Sequence, residues 1–431
     1  MQPLNQALAL CIVLSAALLV RATGEDAPTT ALTREGAIRR AVVDNPELAV
    51  AVMEIARAKS RLRWAGRLEN PELELSSSTD QLGLNEDEGT FEIAFSQRFP
   101  ITSRLKDEKV VRKHDVELAE IEFQVRQRQL AYEVDKAWIE LKTVQRSEVR
   151  QKDLLKLNRE ISTFLEGRAK VGEASPLDAT QAALNGKLLE QELGVTRARV
   201  VEAMSTLGQL IGLQPGAVIM PEGDVSPPKS APPVQWDLQT ALANRPDYSA
   251  LLTSGDLGRA QLALAMSQRW DDIALKVFAE RERANDEPGG LERNSLVGIG
   301  ISIPLPLRNR NEQAIEEAKI DIEKVRRARG AKAFEIHSEL KKALQARLSA
   351  YELLQSALNN ALPLAKKNFD AFRSAQQDGL ASPLQVQQAQ EQLLQLETSA
   401  LALRKNYEML DAEVRFIGGT YPIPKPVTTT K

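Results

Sequence analysis

Apolar or small residues recur at spacings of three and four through Val386, Ala389, Leu393, Leu396, Ala400, Leu403, Tyr407, Leu410, Val414 and Ile417. That is one buried stripe sustained along a long helix, the pattern of a coiled-coil seam. The same register runs through Ala179, Ala182, Gly186, Leu189, Leu193, Thr196, Val200, Ala203, Leu207 and Leu210, and its small residues imply close helix approach. Upstream, residues 105–170 keep the rhythm with Leu130, Val134, Ala137, Leu141 and Val144, predicting a helix about 100 Å long at 1.5 Å per residue. No globular domain needs such a helix, but the wall of a tube does.

A second period, of two, marks strands. Phe91, Ile93, Phe95 and Phe99 face one way, and Glu92, Ala94, Ser96 and Arg98 the other. Val297, Ile299, Ile301 and Ile303 repeat this against Gly298, Gly300 and Ser302, and Leu73 with Leu75 and Leu275 with Val277 mark a weaker first strand for each pair. The loops between the paired strands, residues 80–89 and 283–294, are acidic and glycine-containing, as suits water. Each strand is about the length that crosses a bilayer when tilted. Four strands per chain cannot close a barrel, and an open edge in lipid leaves backbone groups unpaired. The physics therefore asks for oligomerisation. The rival reading, a small sheet lying on a soluble helical body, lacks a second apolar surface to cover the sheet.

These elements come in one order, twice, in two halves of roughly 200 residues. Each half opens on a short helix ending in Asn45-Pro46 or Arg245-Pro246, continues through two strands that close at Arg98-Phe99-Pro100-Ile101 or Ile303-Pro304-Leu305, and ends in a helical hairpin whose return arm finishes at Ile211-Gly212 or Ile417-Gly418. The repeats are expected over residues 32–213 and 236–418, with a proline-rich extended connector over 214–235 and a similar tail over 419–431. The expected fold class is mainly α with a small β part, built on long coiled-coil helical hairpins.

Composition narrows this picture. Aromatics are only 4% of the 431 residues and the net charge is −3, which suits long packed helices. Basic residues are interleaved with acids, so no nucleic-acid partner is expected. An apolar run over residues 8–20, followed by Ala22 and Gly24, reads as an export signal over residues 1–24 cleaved near 22 to 24, although no Lys or Arg precedes the run. Past Ala22 no stretch approaches the length of a transmembrane helix, so entry into a membrane has to use strands. Cys11, the one cysteine, lies in that leader, leaving a mature chain without disulfides or thiolate metal sites. Leu10 before it argues against a lipid anchor on Cys11.

Catalytic chemistry is not in evidence. His114 and His337 have no partner His or Cys at ligand spacing, and no phosphate loop, H-E-x-x-H or nucleophile elbow occurs. Gly298 and Gly300 lack the third glycine of a dinucleotide fingerprint and read as relief of crowding on a strand's inner face. No enzyme activity, cofactor or metal site is expected.

Two turns share a grammar: Lys170-Val171-Gly172-Glu173-Ala174-Ser175-Pro176-Leu177 and Gln377-Asp378-Gly379-Leu380-Ala381-Ser382-Pro383-Leu384. Gly stops one helix, Ser caps the next and Pro takes its first position. A helical-hairpin tip explains this fully; a tip with small exposed residues also suits end-to-end docking of another helical hairpin.

With its duplicated plan and paired tips, nearly the whole mature chain resembles the outer-membrane efflux protein family, the TolC-like exit ducts. The stretch Val297-Gly298-Ile299-Gly300-Ile301-Ser302-Ile303-Pro304-Leu305-Pro306-Leu307-Arg308-Asn309-Arg310-Asn311, followed by Ala314, is similar to the branch serving cobalt-zinc-cadmium type heavy-metal efflux pumps, and Ser96-Gln97 before Phe99-Pro100 is similar to the family's matching first-half segment. The resemblance implies a homotrimer in which each chain gives four strands to a shared twelve-stranded transmembrane β-barrel. The long hairpins would form a trimeric α-barrel in the periplasm. Partners would be outer-membrane lipid, a periplasmic adaptor and, through it, a proton-driven inner-membrane pump. Phe91, Ile93, Phe95, Phe99, Val297, Ile299, Ile301 and Ile303 would face lipid. Val171, Gly172, Ser175, Gly379 and Ser382 would dock the adaptor. Asp178 would sit at the periplasmic entrance, where the second half has Gln385 and Gln388 instead of acids. The implied function is a passive exit duct for divalent heavy-metal ions; a duct for drugs or secreted polypeptides and a soluble coiled-coil scaffold are the alternatives.

Overall fold

The computed structural model describes residues 30–79, 89–173, 175–223, 230–233, 236–286, 290–378 and 380–421; the expected export signal and Gly379 lie outside them. In chain order the first half comprises β1 (Thr30–Thr33), α1 (Arg34–Asp44), α2 (Pro46–Trp64), β2 (Glu72–Thr79), β3 (Gly89–Phe99), α3 (Arg104–Lys170) and α4 (Pro176–Leu210). After β4 (Ile219–Glu222), the second half comprises α5 (Leu238–Ala243), α6 (Pro246–Ser267), β5 (Ile273–Asp286), β6 (Gly290–Ser302), α7 (Glu312–Ser356), a π-helical turn (Ala357–Ala361), α8 (Leu362–Gln377) and α9 (Pro383–Ile417).

The duplication is plain in the lengths. The outgoing arm is one helix of 67 residues in the first half and segments of 45, 5 and 16 residues in the second, and both return arms, α4 and α9, have 35. The outgoing arm of the second half is broken in hydrogen bonding at one place, where the Leu362 N–H reaches back to the Ala357 carbonyl. Pro363 follows. A proline ring has no N–H and crowds the carbonyl four residues back, and a π-turn accommodates both without ending the helix.

Most of the expected seam positions are buried, and Ala137, Gly186, Leu189, Leu210, Leu396, Leu403 and Leu410 are half-buried. Ala179, Ala182, Leu193, Thr196, Val200, Ala203 and Leu207 of α4 are buried, as are Leu130, Val134, Leu141 and Val144 of α3. In α9, Val386, Ala389, Ala400, Tyr407, Val414 and Ile417 are buried; one turn shifts its register, so that Leu394 is buried and Leu393 half-buried. Helix α3 packs against α4, α6, α9 and α2, with α7 packed on α6 and α9.

The core concentrates where helix ends meet midway along the body. Leu32, Ile38, Val134, Trp138, Ile139, Leu207, Ile211 and Ile219 form one cluster. The connector contributes β4, which pairs in parallel with β1 and buries Ile219, while the Trp138 indole donates to the Leu32 carbonyl at 3.0 Å. Helix C-terminal carbonyls are met by side chains: Asn45 Nδ2 donates to the Leu210 carbonyl at 2.9 Å, Arg245 Nη1 to that of Ile417 at 3.3 Å, and Arg128 to that of Phe416. These satisfy otherwise orphaned acceptors, and the arginines add a favourable charge at the helix's negative end. Burial, with Arg245 nearby, lowers the Arg128 pKa to about 10. At Gly212 (φ +71°) a Cβ would lie 2.4 Å from the Asp44 carbonyl oxygen, so this junction admits only glycine.

The tail is anchored there too. Asp135, 1% exposed, accepts from Arg34 Nη2 at 2.7 Å, from Arg34 Nε, and from the Tyr421 hydroxyl. Burial followed by the Asp135 carboxylate pushes the Tyr421 phenol far above its usual pKa, so it remains a neutral donor. Removing the carboxylate strands both donors. Asp135→Ala is expected to lower the unfolding free energy by about 3–5 kcal/mol, read as a lower urea midpoint of the purified assembly, with Tyr421→Phe losing about 1–2 kcal/mol; equal midpoints for all three proteins would dismiss this anchor.

Candidate functional site

Two surfaces stand out, at opposite ends of the long helices. At one end the strands form a single antiparallel sheet in the order β2-β3-β5-β6. The two hairpins meet through β3 and β5, leaving β2 and β6 as edges. Register sets Leu75, Ile93, Ala279 and Val297 in one row across the sheet and Leu73, Phe95, Val277 and Ile299 in the next. Both rows lie on the same face, since residues directly opposite in an antiparallel pair share a face. This face is apolar and uncovered: Ile93, Phe95, Val297 and Ile301 are exposed, and Ile299 is 73% exposed. Phe91 and Phe99 share it, and Ile303 lies just past the end of β6, also exposed.

The opposite face carries Glu74, Glu92 and Lys276, with Lys276 Nζ 2.6 Å from Glu92 and 3.4 Å from Glu74. Gly298 lies on that side beneath the Phe278 ring, and a Cβ there would come within 2.5 Å of it, so this glycine relieves crowding, whereas a Cβ at Gly300 would meet only Lys276 Cβ at an ordinary 3.8 Å. A sheet apolar on one face and polar on the other, with the apolar face bare, suits a solvent that is apolar on one side only. No described helix is long and apolar enough to cross a membrane.

At the junction with the helices, Arg104 pairs with Asp272 and lies 3.9 Å from Glu69, tying the start of α3 to the approach to β5. The segment resembling the metal branch makes the turn from β6 into α7. Asn311 adopts φ +58°, donates from Nδ2 to the Ala265 carbonyl at 2.9 Å, and accepts no helix cap; its backbone N–H is held by Asn309 Oδ1 at 3.0 Å. Asn tolerates this left-handed conformation better than most residues.

The far ends are the hairpin tips. Gly172 adopts φ +76°, with the Glu173 N–H bonded to the Arg168 carbonyl at 2.9 Å and the Gly172 N–H to that of Ala169 at 3.2 Å: a Schellman stop. Ser175 then caps α4 through Leu177 N at 3.2 Å. The second tip has the matching bond, Leu380 N–H to the Ala375 carbonyl at 2.7 Å, and Ser382 caps α9 in a reciprocal capping box with Gln385. Val171, Gly172, Ser175 and Ser382 are exposed. Two exposed leucines at the tips, Leu177 (78%) and Leu380 (83%), belong to this surface although the sequence reading names Val171 with glycines and serines and leaves them out; their signal was an apolar residue beside each cap. Asp178 is half-buried in the first turn of α4, where the helix dipole favours an acid. Gln385 is occupied by its cap, and Gln388 is exposed. His114 bonds Glu117 at 2.9 Å on its own helix, His337 is exposed, and no metal-holding group of side chains occurs among the described residues.

Residues 37–213 and 238–419 match the family model described as outer membrane efflux protein. Among curated proteins no relative matches the chain. Among solved structures, that of CusC, described for its folding and transmembrane channel formation, matches with a TM-score of 0.71 at 17% identity over 93% of this chain and 95% of that one. The outer membrane protein VceC from Vibrio cholerae matches at 0.69 and 18% over 90% and 97%, and the Campylobacter jejuni CmeC outer membrane channel at 0.68 and 14% over 94% and 91%. At such identities the structural likeness speaks to fold.

The tip geometry yields its own test. A Cβ at Gly172 meets nothing within 4 Å, so a substitution there is opposed by backbone strain alone. Gly172→Val is expected to cost about 1–2 kcal/mol and Gly172→Asn much less, read as faster amide exchange across residues 168–178; identical exchange in both variants would contradict the left-handed stop.

Proposed function

The chain belongs to the outer membrane efflux protein family, and from that membership we propose that it is the passive outer-membrane duct of a tripartite efflux system, assembled as a homotrimer. The observation that carries this reading is the four-stranded sheet with a bare apolar face and two unpaired edges. Pairing β6 of one copy with β2 of the next closes twelve strands into a barrel, sends the apolar rows into lipid and turns Glu74, Glu92 and Lys276 toward a water-filled lumen. Closure removes both edges, the condition for strands to exist in hydrocarbon.

The helices support the same arrangement. Helix α6 packs against α7 of its own half and α3 of the other, while its counterpart α2 packs chiefly on α3 and leaves Val50 and Met53 exposed. By the repeat's pseudo-symmetry the uncovered side of α2 meets α7 of a neighbouring copy, where Ile320 and Phe334 are exposed. The α-barrel then stands in the periplasm, its tips meeting a periplasmic adaptor through Val171, Gly172, Ser175, Gly379 and Ser382, with Asp178 at the entrance. The adaptor links to a proton-driven inner-membrane pump, which supplies energy and selects cargo; the duct itself performs no catalysis. The finer assignment of cargo to divalent heavy-metal ions is supported by the Val297-to-Asn311 segment.

Ile93→Lys and Ile299→Lys are each expected to cost about 2–4 kcal/mol at mid-bilayer depth and to abolish membrane assembly, whereas unsubstituted trimer conducts in a planar bilayer. A protein that is monomeric and soluble without detergent would overturn the duct. Valine at Gly172 together with valine at Gly379 is expected to leave trimers intact and abolish resistance; persistent resistance would remove the docking role of the tips. A deletion strain should accumulate divalent metal ions, and accumulation of drugs instead would reassign the cargo.

A further inference from the structure

The outward face of the β5–β6 hairpin changes character beyond the apolar rows. Past Ala279 that face continues with Arg281 and Arg283, and past Val297 with Ser295 and Arg293; Arg281 stands opposite Ser295, and Arg283 opposite Arg293. This is the end away from the helices, since β5 begins and β6 ends at the helical side, at Ile273 and Ser302. Arg281 also stands opposite Phe91 of β3, placing an aromatic ring where the apolar band gives way to charge, as at a membrane interface. The described acids of the same hairpin, Glu280, Glu282 and Glu292, alternate onto the other face. Arg283 is already engaged. Arg281 and Arg293 are exposed and, among the described residues, are in no ion pair.

We infer that Arg281 and Arg293 form a docking rim for the phosphates of an anionic glycolipid in the outer leaflet, an inference that rests on the membrane reading above. As diagonal neighbours on paired strands the two positions lie about 7–8 Å apart, a spacing that suits a headgroup carrying more than one phosphate, which guanidinium forks bind bidentately. The apolar rows run directly into the rim, so one molecule can lay acyl chains along Val297 and Ile299 while its head meets the arginines; a free phosphate gains only the second contact. The first hairpin has Ser77 and Thr79 at the corresponding level. Each copy therefore contributes one such rim, beside the β6 edge.

The test uses full-length trimer in phosphatidylcholine nanodiscs doped with lipid A, with bound lipid A counted by native mass spectrometry. Unsubstituted trimer is expected to retain lipid A but not its dephosphorylated form. The double variant Arg281→Ala, Arg293→Ala is expected to insert and conduct normally while binding lipid A on the order of tenfold more weakly, and Arg281→Lys, Arg293→Lys to recover part of the loss. Undiminished binding by the alanine variant, or equal retention of dephosphorylated lipid, would overturn the rim while leaving the duct intact. Failure of the unsubstituted protein to enter any nanodisc would overturn the membrane reading and the rim together.

Discussion

Backbone hydrogen bonding at the two edges of the sheet is the constraint on which the rest of this molecule depends. In lipid, each unpaired N–H or C=O costs several kcal/mol, and in water the open edges and the uncovered apolar face both invite aggregation. Neither solvent alone satisfies this sheet as one copy displays it. Closure with further copies satisfies both demands at once, and the hairpin order β2-β3-β5-β6 leaves one edge from each repeat available for it. Membership of the outer membrane efflux protein family accords with a chain that folds as one segment of a larger wall.

The chain itself has two materials, joined where strands give way to helices. Arg104 with Asp272 and Asn311 with Ala265 hold the joint, and the residues resembling a heavy-metal branch do structural duty in the second of these contacts. Asn309 and Asn311 shape the exit from β6. A signature whose side chains build a turn has a physical reason to exist in any duct with that turn, so the cargo assignment draws on resemblance while the fold draws on geometry.

How much was legible in the sequence follows from the range of each interaction. The seams through Val200 and Leu207 or Val414 and Ile417, and the alternation through Ile93 and Ile299, are local periodicities, and the structure puts these residues inside the helical body and on one sheet face respectively. The glycine and serine of the first tip announce its turn because positive φ and cap acceptors are properties of single residues. The pairing of β1 with β4 was not legible: four residues near the amino terminus meet four in a proline-rich connector, and neither segment has a period. The Arg34, Asp135 and Tyr421 contacts join positions 101 and 286 residues apart, and on a helix as long as α3 one aspartate looks like any solvated acid. The π-turn had a visible cause in Pro363, but a proline in a helical pattern predicts a kink, a break or a bulge equally well until the neighbouring helices decide among them.

The tips show how a repeat can diverge without losing its architecture. Both stop with the same carbonyl acceptance and both restart on Ser-Pro, so the lengths of α4 and α9 stay equal. Within the restart, position N3 is put to different use. Gln385 folds back on the Ser382 N–H in a capping box, whereas the first-half cap rests on Ser175 alone and leaves Asp178, the corresponding residue, half-buried with its carboxylate beside the helix dipole. A glutamine is neutral however its amide is bonded, so the second half has no carboxylate at this position. On the duct reading, the N3 position supplies a carboxylate from alternate hairpins only, one per copy, while Asp378 places an exposed acid at the end of α8 in the other hairpin. A glutamate at N3 can close a capping box and carry charge together, so the neutral N3 of the second half follows from its residue type and not from its cap geometry.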